Sequence, residues 1–141
     1  MQQAYITDDA FPYYIIYRNE DYDRVVAKLQ FDVFSVFRDR QITKKNTTSV
    51  YKEGYLRVLK ARNITDEGNV ENIDGYDMYI NPVGNESLSA MKFVGDTSVY
   101  LTTNMTYNPR VMKNIPGVIT DGSVAVLIPK VKMRLTEKQL C

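Results

Sequence analysis

The sequence contains no histidine, and its one cysteine, Cys141, is the last of 141 residues. Those absences remove several classes of enzyme. Without an imidazole or a second thiol there can be no Ser-His-Asp triad, no Cys-His dyad and no ordinary nitrogen- or sulfur-rich metal site. An intramolecular disulfide is equally impossible, so cysteine usage gives no sign of an oxidising compartment. Long hydrophobic runs are missing as well, since no stretch approaches the roughly 18 consecutive apolar residues of a membrane span. The opening MQQAYITDD lacks the basic and apolar regions of a signal peptide. The expectation is a cytoplasmic protein with no membrane partner. Low-complexity segments and internal repeats are also absent.

Carboxylates remain, at Asp66, Glu67, Asp74 and Asp77. Such groups can pair for acid/base work or take a hard cation. However, ITDEGNVENIDGYD lacks the ligand spacing of a calcium loop. Acidic residues beside Gly and Asn are those of solvated turns. The chain also offers no acidic set with a following lysine of the kind a PD-(D/E)xK nuclease requires.

With 44% hydrophobic and 25% charged residues, the composition is that of one ordinary domain, able to bury roughly two-thirds of its unfolded surface. Its formal net charge of +1 hides a segregation. Residues 31–63 carry 8 basic against 3 acidic side chains, and residues 64–104 carry 1 against 7. Residues 105–141 are basic again, with 6 against 2. If residues 38–62 fold beside 106–113, they form a positive face suited to phosphates. Dispersed over the surface, the same charges would merely be solvated.

The stretch from Gly95 to Pro129 is the organising one. Ser98–Thr103 alternates apolar and polar residues, as a strand with one buried face does. SVAVLIP, from Ser123 to Pro129, is continuously apolar and fenced by Asp121-Gly122 and Pro129, which predicts a buried central strand. Between these runs lies TTNMTYNPR, where Asn, Thr and Arg side chains able to bond base edges or phosphates are concentrated. The ring of Pro109 prevents this loop from continuing as a ladder strand. Asn and Pro also form ordinary hairpin turns.

Elsewhere the patterns predict a strand over residues 12–17, PYYIIY, and a short amphipathic helix opened by Asn19. The Tyr22, Val25, Val26 and Leu29 stripe of that helix is expected to pack on the protein's own sheet. FDVFSVFRDR is either a strand or a helical turn leading into one. YLRVLKA is a strand with Leu56 and Val58 inward and Arg57 and Lys60 outward, YDMYIN is another candidate, and NESLSAMKF is a short helix starting near Asn85 or Glu86.

KEGYLRVLKARNITDEG, GYDMYI, GDTSVYLTTN, DGSVAVLIPK and LTEKQL, in that order, resemble the target recognition domain of restriction-modification proteins. Gly54, Val58, Leu59, Lys60, Asn63 and Ile64 match a G-x-x-x-(V/I)-(L/I)-(K/R)-x-x-N-I segment. Gly95, Asp96, Thr97 and Thr102 match, to within one position, a following G-D-(I/T)-x-(L/V)-x-T strand. The likeness spans about residues 30 to 140 and rests on the order and spacing of short motifs. Such domains occur in type I specificity subunits and toward the C-terminal end of some N6-adenine DNA methyltransferases.

The resemblance implies an α+β fold of the DNA methylase specificity-domain type: a strand-rich, mixed or antiparallel twisted sheet with a few short helices. It implies one recognition domain over residues 1–141, with an N-terminal strand and helix to residue 30, a core over 31–135 and the start of a C-terminal helix at 136–141. Double-stranded DNA is the implied partner, together with a methyltransferase domain or subunit that would hold S-adenosylmethionine. No cofactor is expected in this chain. The Asn/Asp-Pro-Pro-aromatic motif and glycine-rich loop of the methyltransferases are absent, since Asn81-Pro82 is followed by Val83 and Asn108-Pro109 by Arg110. A non-catalytic domain of a longer protein is therefore expected. The expected phosphate contacts are Lys44, Lys45, Lys60 and Lys113, and the residues expected to approach base edges are Arg62, Asn63, Asn104, Thr106, Tyr107 and Arg110. A structural or protein-interaction module, its 11 tyrosines serving a protein partner, is the competing reading.

Overall fold

The structure, a computed structural model, describes residues 19–104 and 106–130. The expected strand at 12–17 and helix at 136–141 lie outside the described residues. Contacts divide the chain into two compact units, residues 1–31 and 32–141.

In the first unit the helix α1 (Glu20–Val26) starts as its sequence predicts. The Asn19 side chain accepts a 2.8 Å hydrogen bond from the Tyr22 amide, satisfying one of the free donors of the first turn. Glu20, Asp21 and Asp23 lie in that turn, where negative charge complements the helix dipole. The apolar stripe is covered only in part, with Tyr22 and Val26 half-buried. Seven residues leave Leu29 beyond the helix, α1 contains no buried residue, and Val25 and Leu29 are each more than half exposed.

Among its described residues the second unit holds seven strands: β1 (Phe34–Arg38), β2 (Leu56–Leu59), β3 (Met78–Ile80), β4 (Tyr100–Thr103), β5 (Val111–Lys113), β6 (Val118–Thr120) and β7 (Val124–Pro129). They form an antiparallel four-stranded sheet in the order β1-β7-β4-β5 and a mixed three-stranded sheet in the order β3-β2-β6. Within the latter, β2 runs antiparallel to β3 and parallel to β6. The α+β, strand-rich class expected from the sequence is thus present, with one α-helix among the described residues.

SVAVLIP lies centrally, as its unbroken hydrophobicity predicts. Val126 is paired to Phe37 on one side and to Leu101 on the other. Val124, Ala125 and Val126 are all buried in succession, so both faces of β7 are covered there. Leu59, Ile64, Leu101, Met112 and Val118 join Val126 in the larger core cluster, and Val58, Ile80 and Ile119 lie in a smaller one. Each fully buried side chain of this size contributes roughly 1.5–3 kcal/mol.

The turn 121–123 carries the chain from β6 in one sheet to β7 in the other. Asp121 Oδ1 accepts from the Ser123 amide at 2.9 Å and from its hydroxyl at 2.6 Å. Gly122 has no room for a side chain, because a Cβ there would come within 2.8 Å of the Asp39 carbonyl oxygen. Two expectations change. The segment after β4 is not one long loop, since β5 and β6 occupy part of it. The expected helix in NESLSAMKF is a 3-10 helix at Ser89–Phe93, started by Leu88 without a side-chain cap and anchored through buried Ala90 and Phe93. Asn114 ties its end down by donating to the Phe93 and Asp96 carbonyls at 2.7 and 3.0 Å.

Placing a charge in the central strand tests this arrangement. Val126→Asp should abolish the cooperative thermal transition, because an unpaired carboxylate in that position has neither water nor a partner. A melting curve followed by circular dichroism checks this, and a near-normal transition would contradict the placement of β7.

Candidate nucleic-acid interface

The site region is built on the corner where β2 ends. A single 3-10 turn, Ala61–Asn63, follows Lys60 and reverses the chain. Asn63 is completely buried there. Its Oδ1 accepts from the Lys60 amide at 3.1 Å, while its Nδ2 donates to the Glu71 carbonyl and to Asp77 Oδ1 at 3.1 and 2.7 Å. Every polar atom of the side chain is therefore used inside the fold. The expectation that Asn63 approaches a base edge is corrected: it braces the corner.

Asp77 serves the same corner. Its Oδ2 accepts from Arg57 at 2.9 Å and from the Ile73 amide at 3.3 Å. Arg57, expected to face outward, is only 18% exposed at its side chain and also donates to Asn72 Oδ1 and the Glu71 carbonyl at 2.5 and 2.7 Å. Asp77 itself is 14% exposed, so it is not the solvated turn residue its sequence context predicts. Arg57 stands opposite Tyr79 across the β2–β3 pair, which brings its guanidinium to the chain entering β3. Finding this pair from sequence would have required that register.

Above the corner, Lys60 donates to the Tyr76 carbonyl and holds its ammonium 3.7 Å from the Tyr76 ring centroid. The Arg62 guanidinium lies 5.5 Å from the same ring. Such cation–π contacts favour a fixed position for the charge. Arg62 is exposed and has no carboxylate partner among the described residues.

Arg62 and Arg110 line one open cleft of about 690 Å³, in which Ile64 and Ile73 meet Asp66, Glu67 and Glu71. Of the two arrangements the charge pattern allows, the basic blocks thus approach each other here, but acidic side chains stand between them. The uninterrupted positive face expected from the charge pattern is not formed at this point.

The loop 104–110 joins β4 to β5, and both of its ends are fastened. The Asn104 amide donates to the Ser123 carbonyl at 3.0 Å, and its Nδ2 donates to the Gly122 carbonyl at 3.0 Å. Arg38 Nε donates to that same carbonyl at 2.6 Å, which brings the first basic block to the loop's base. At the other end, Arg110 donates to Asp66 Oδ1 at 2.6 Å and to the Ile64 carbonyl at 3.1 Å. The two supports are themselves joined, because the Ala61 amide donates to Ser123 Oγ at 2.9 Å. Asn104 and Arg110, expected as base readers, already have hydrogen-bonding groups engaged in holding the loop.

Between those supports the loop turns outward. Tyr107 is fully exposed, with a relative accessibility of 105%, and Asn108 and Pro109 are exposed beside it. Thr106 is half-buried and donates its hydroxyl to the Asn108 carbonyl at 3.0 Å. Arg38 is an exposed polar group that the sequence does not single out, and Asn108, part of the TTNMTYNPR stretch but not named among the expected contacts, is exposed as well. Lys44 and Lys45 are exposed on a separate turn, where Asn46 Oδ1 accepts from the Thr43 amide at 2.8 Å. Lys113 is exposed on β5, opposite Tyr100.

Comparison with family models, curated proteins and solved structures finds no match for this chain. Among the described residues, no group of three or more acidic or cysteine side chains is placed to hold a metal ion, and no helix is long and apolar enough to cross a membrane.

Asn63→Ala should lower stability by about 2–3 kcal/mol, because it leaves the Lys60 amide and Asp77 Oδ1 without a partner in the interior. Exposed Lys44→Ala should stay within about 0.5 kcal/mol of the parent. Urea unfolding of both variants measures the difference, and equal stabilities would contradict the bracing role of Asn63.

Proposed function

We propose that this chain is a non-catalytic, sequence-reading domain for double-stranded DNA, of the DNA methylase specificity-domain type, belonging to a restriction-modification system. The observation that carries the reading is the loop 104–110, fastened at both ends and presenting Tyr107 and Asn108 outward from a base that includes Arg38. Anchoring both ends of a loop reduces the conformational freedom it loses on binding. An exposed amide beside an aromatic ring supplies both base-edge hydrogen bonding and a stacking face.

The placement of the motif residues also supports the resemblance. Val58, Leu59, Asn63 and Ile64 are buried, while Gly54 and Gly95 take positive φ values of 82° and 78° that favour glycine. On this reading Lys44, Lys45, Arg62 and Lys113 position phosphates. Methyl transfer with S-adenosylmethionine then belongs to a separate domain or subunit, which receives an adenine extruded from the duplex.

A protein-interaction role has its own supporting observation. Val50 and Tyr51 are 60% and 61% exposed, and the Tyr51 ring packs at 5.3 Å from Tyr79. The two readings differ in salt dependence. If DNA is the partner, duplex affinity falls steeply between about 50 and 200 mM salt. Lys44→Ala combined with Lys45→Ala then weakens all sequences about equally and reduces the salt slope by about 2, one for each phosphate that is no longer neutralised. Fluorescence anisotropy with labelled duplexes is the measurement. No duplex binding at the lower salt concentration would contradict the proposal.

A further inference from the structure

We infer that Tyr107 is a stacking wedge that opens a base step of the bound duplex, while Asn108 beside it reads the groove edge of an adenine at that step. This deepens the DNA-binding reading and rests on it. The first reason is energetic. A tyrosine at 105% relative accessibility buries no surface within its own chain, so its ring contributes nothing to the hydrophobic core.

The second reason is mechanical. A wedge needs a seat that does not yield when the ring is driven between bases. Here the seat is a closed frame: Asn104 is held on Gly122 and Ser123, Arg110 on Ile64 and Asp66, and Ala61 on Ser123. The Thr103 amide also donates to the Arg110 carbonyl at 3.4 Å, closing the neck of the loop. Within the loop, the Thr106 hydroxyl braces the Asn108 carbonyl and Pro109 fixes its own φ. Asn104 and Arg110 are therefore positioning residues, and the exposed tip holds the groups that touch DNA.

Chemistry then divides the work at the tip. The tyrosine ring can stack on any base, so it supplies affinity and local unstacking with little choice of sequence. A side-chain amide offers the donor and acceptor pair that matches adenine, so Asn108 supplies the choice. Pyrimidine–purine steps such as TA unstack most readily and are the expected place of entry.

The test uses the full chain with short duplexes carrying a fluorescent adenine analogue at a TA step. Wild-type binding should raise the analogue's fluorescence, the mark of an unstacked base. Tyr107→Ala should lose that rise and bind about ten-fold more weakly, as the loss of one stacked base predicts. Tyr107→Phe should keep both the rise and the affinity, since it retains the ring. All three proteins should give the same circular dichroism melting curve, because the side chain is exposed. If Tyr107→Ala binds as tightly as wild type with the same rise in fluorescence, the wedge is refuted while DNA binding stands. If wild type binds no duplex at low salt, the DNA reading fails and the wedge fails with it.

Discussion

The carboxylate of Asp77, bonded through both oxygens, ties together the corner on which the candidate site is built. One oxygen holds the buried amide of Asn63 and the other holds Arg57 and the Ile73 backbone. The strand β2, the corner that follows it and the acidic loop leading to β3 are thereby fixed to one another. Breaking one partner of such an enclosed pair costs far more than an exposed ion pair contributes, because the remaining group is left without solvent and without its partner. The corner in turn supports the loop 104–110, through Ile64 and Asp66 on one side and Ser123 on the other.

That dependence explains why the acidic segment coexists with a proposed DNA surface. Asp66 and Asp77 are engaged with Arg110 and Arg57, so part of the negative charge of residues 64–104 is neutralised in structural pairs. Lys44, Lys45 and Arg62 stand outside the ion pairs of the described residues. Each such pair uses one cation as well as one carboxylate, so the charges left to meet a polyanion are those of the unpaired lysines and arginines. Asp96 makes a smaller contribution to the scaffold. The Ser98 hydroxyl and amide donate to its carboxylate and hold its pKa below the ordinary value. A lowered carboxylate pKa favours the folded state above the unfolded-state value, and that contribution is lost as pH falls through the folded-state value.

Much of the fold is legible in the sequence because its signals are local. The unbroken apolar run of β7, the alternation in β4 and the Asn19 cap each depend on a few neighbouring residues, and each appears where its pattern predicts. β5 and β6 escape such a reading because each is only three residues long and sits inside a stretch read as loop, although Gly117 before Val118 and Asp121 after Thr120 bracket one of them. The candidate site is legible by region and not by role. Asn63, Asn104 and Arg110 stand out for their hydrogen-bonding chemistry, but donors and acceptors serve a fold as readily as a ligand. Which of these they serve depends on contacts such as Arg110 with Asp66, 44 residues apart in sequence, and no local pattern encodes that. Tyr107 is selected from sequence and stands free, whereas Asn108, its exposed neighbour, is marked only as part of the TTNMTYNPR stretch, because Asn-Pro also forms ordinary turns.

The central claim is that the tip of the loop 104–110 faces DNA and the rest of the loop holds it in place. Backbone amide NMR of the labelled chain, titrated with duplex, tests it most directly. The account predicts shifts concentrated at Thr106, Tyr107 and Asn108 and at the Lys44–Lys45 turn, with the buried amide of Asn63 unmoved. Shifts confined to Val50 and Tyr51, or none at all at the loop, would contradict it.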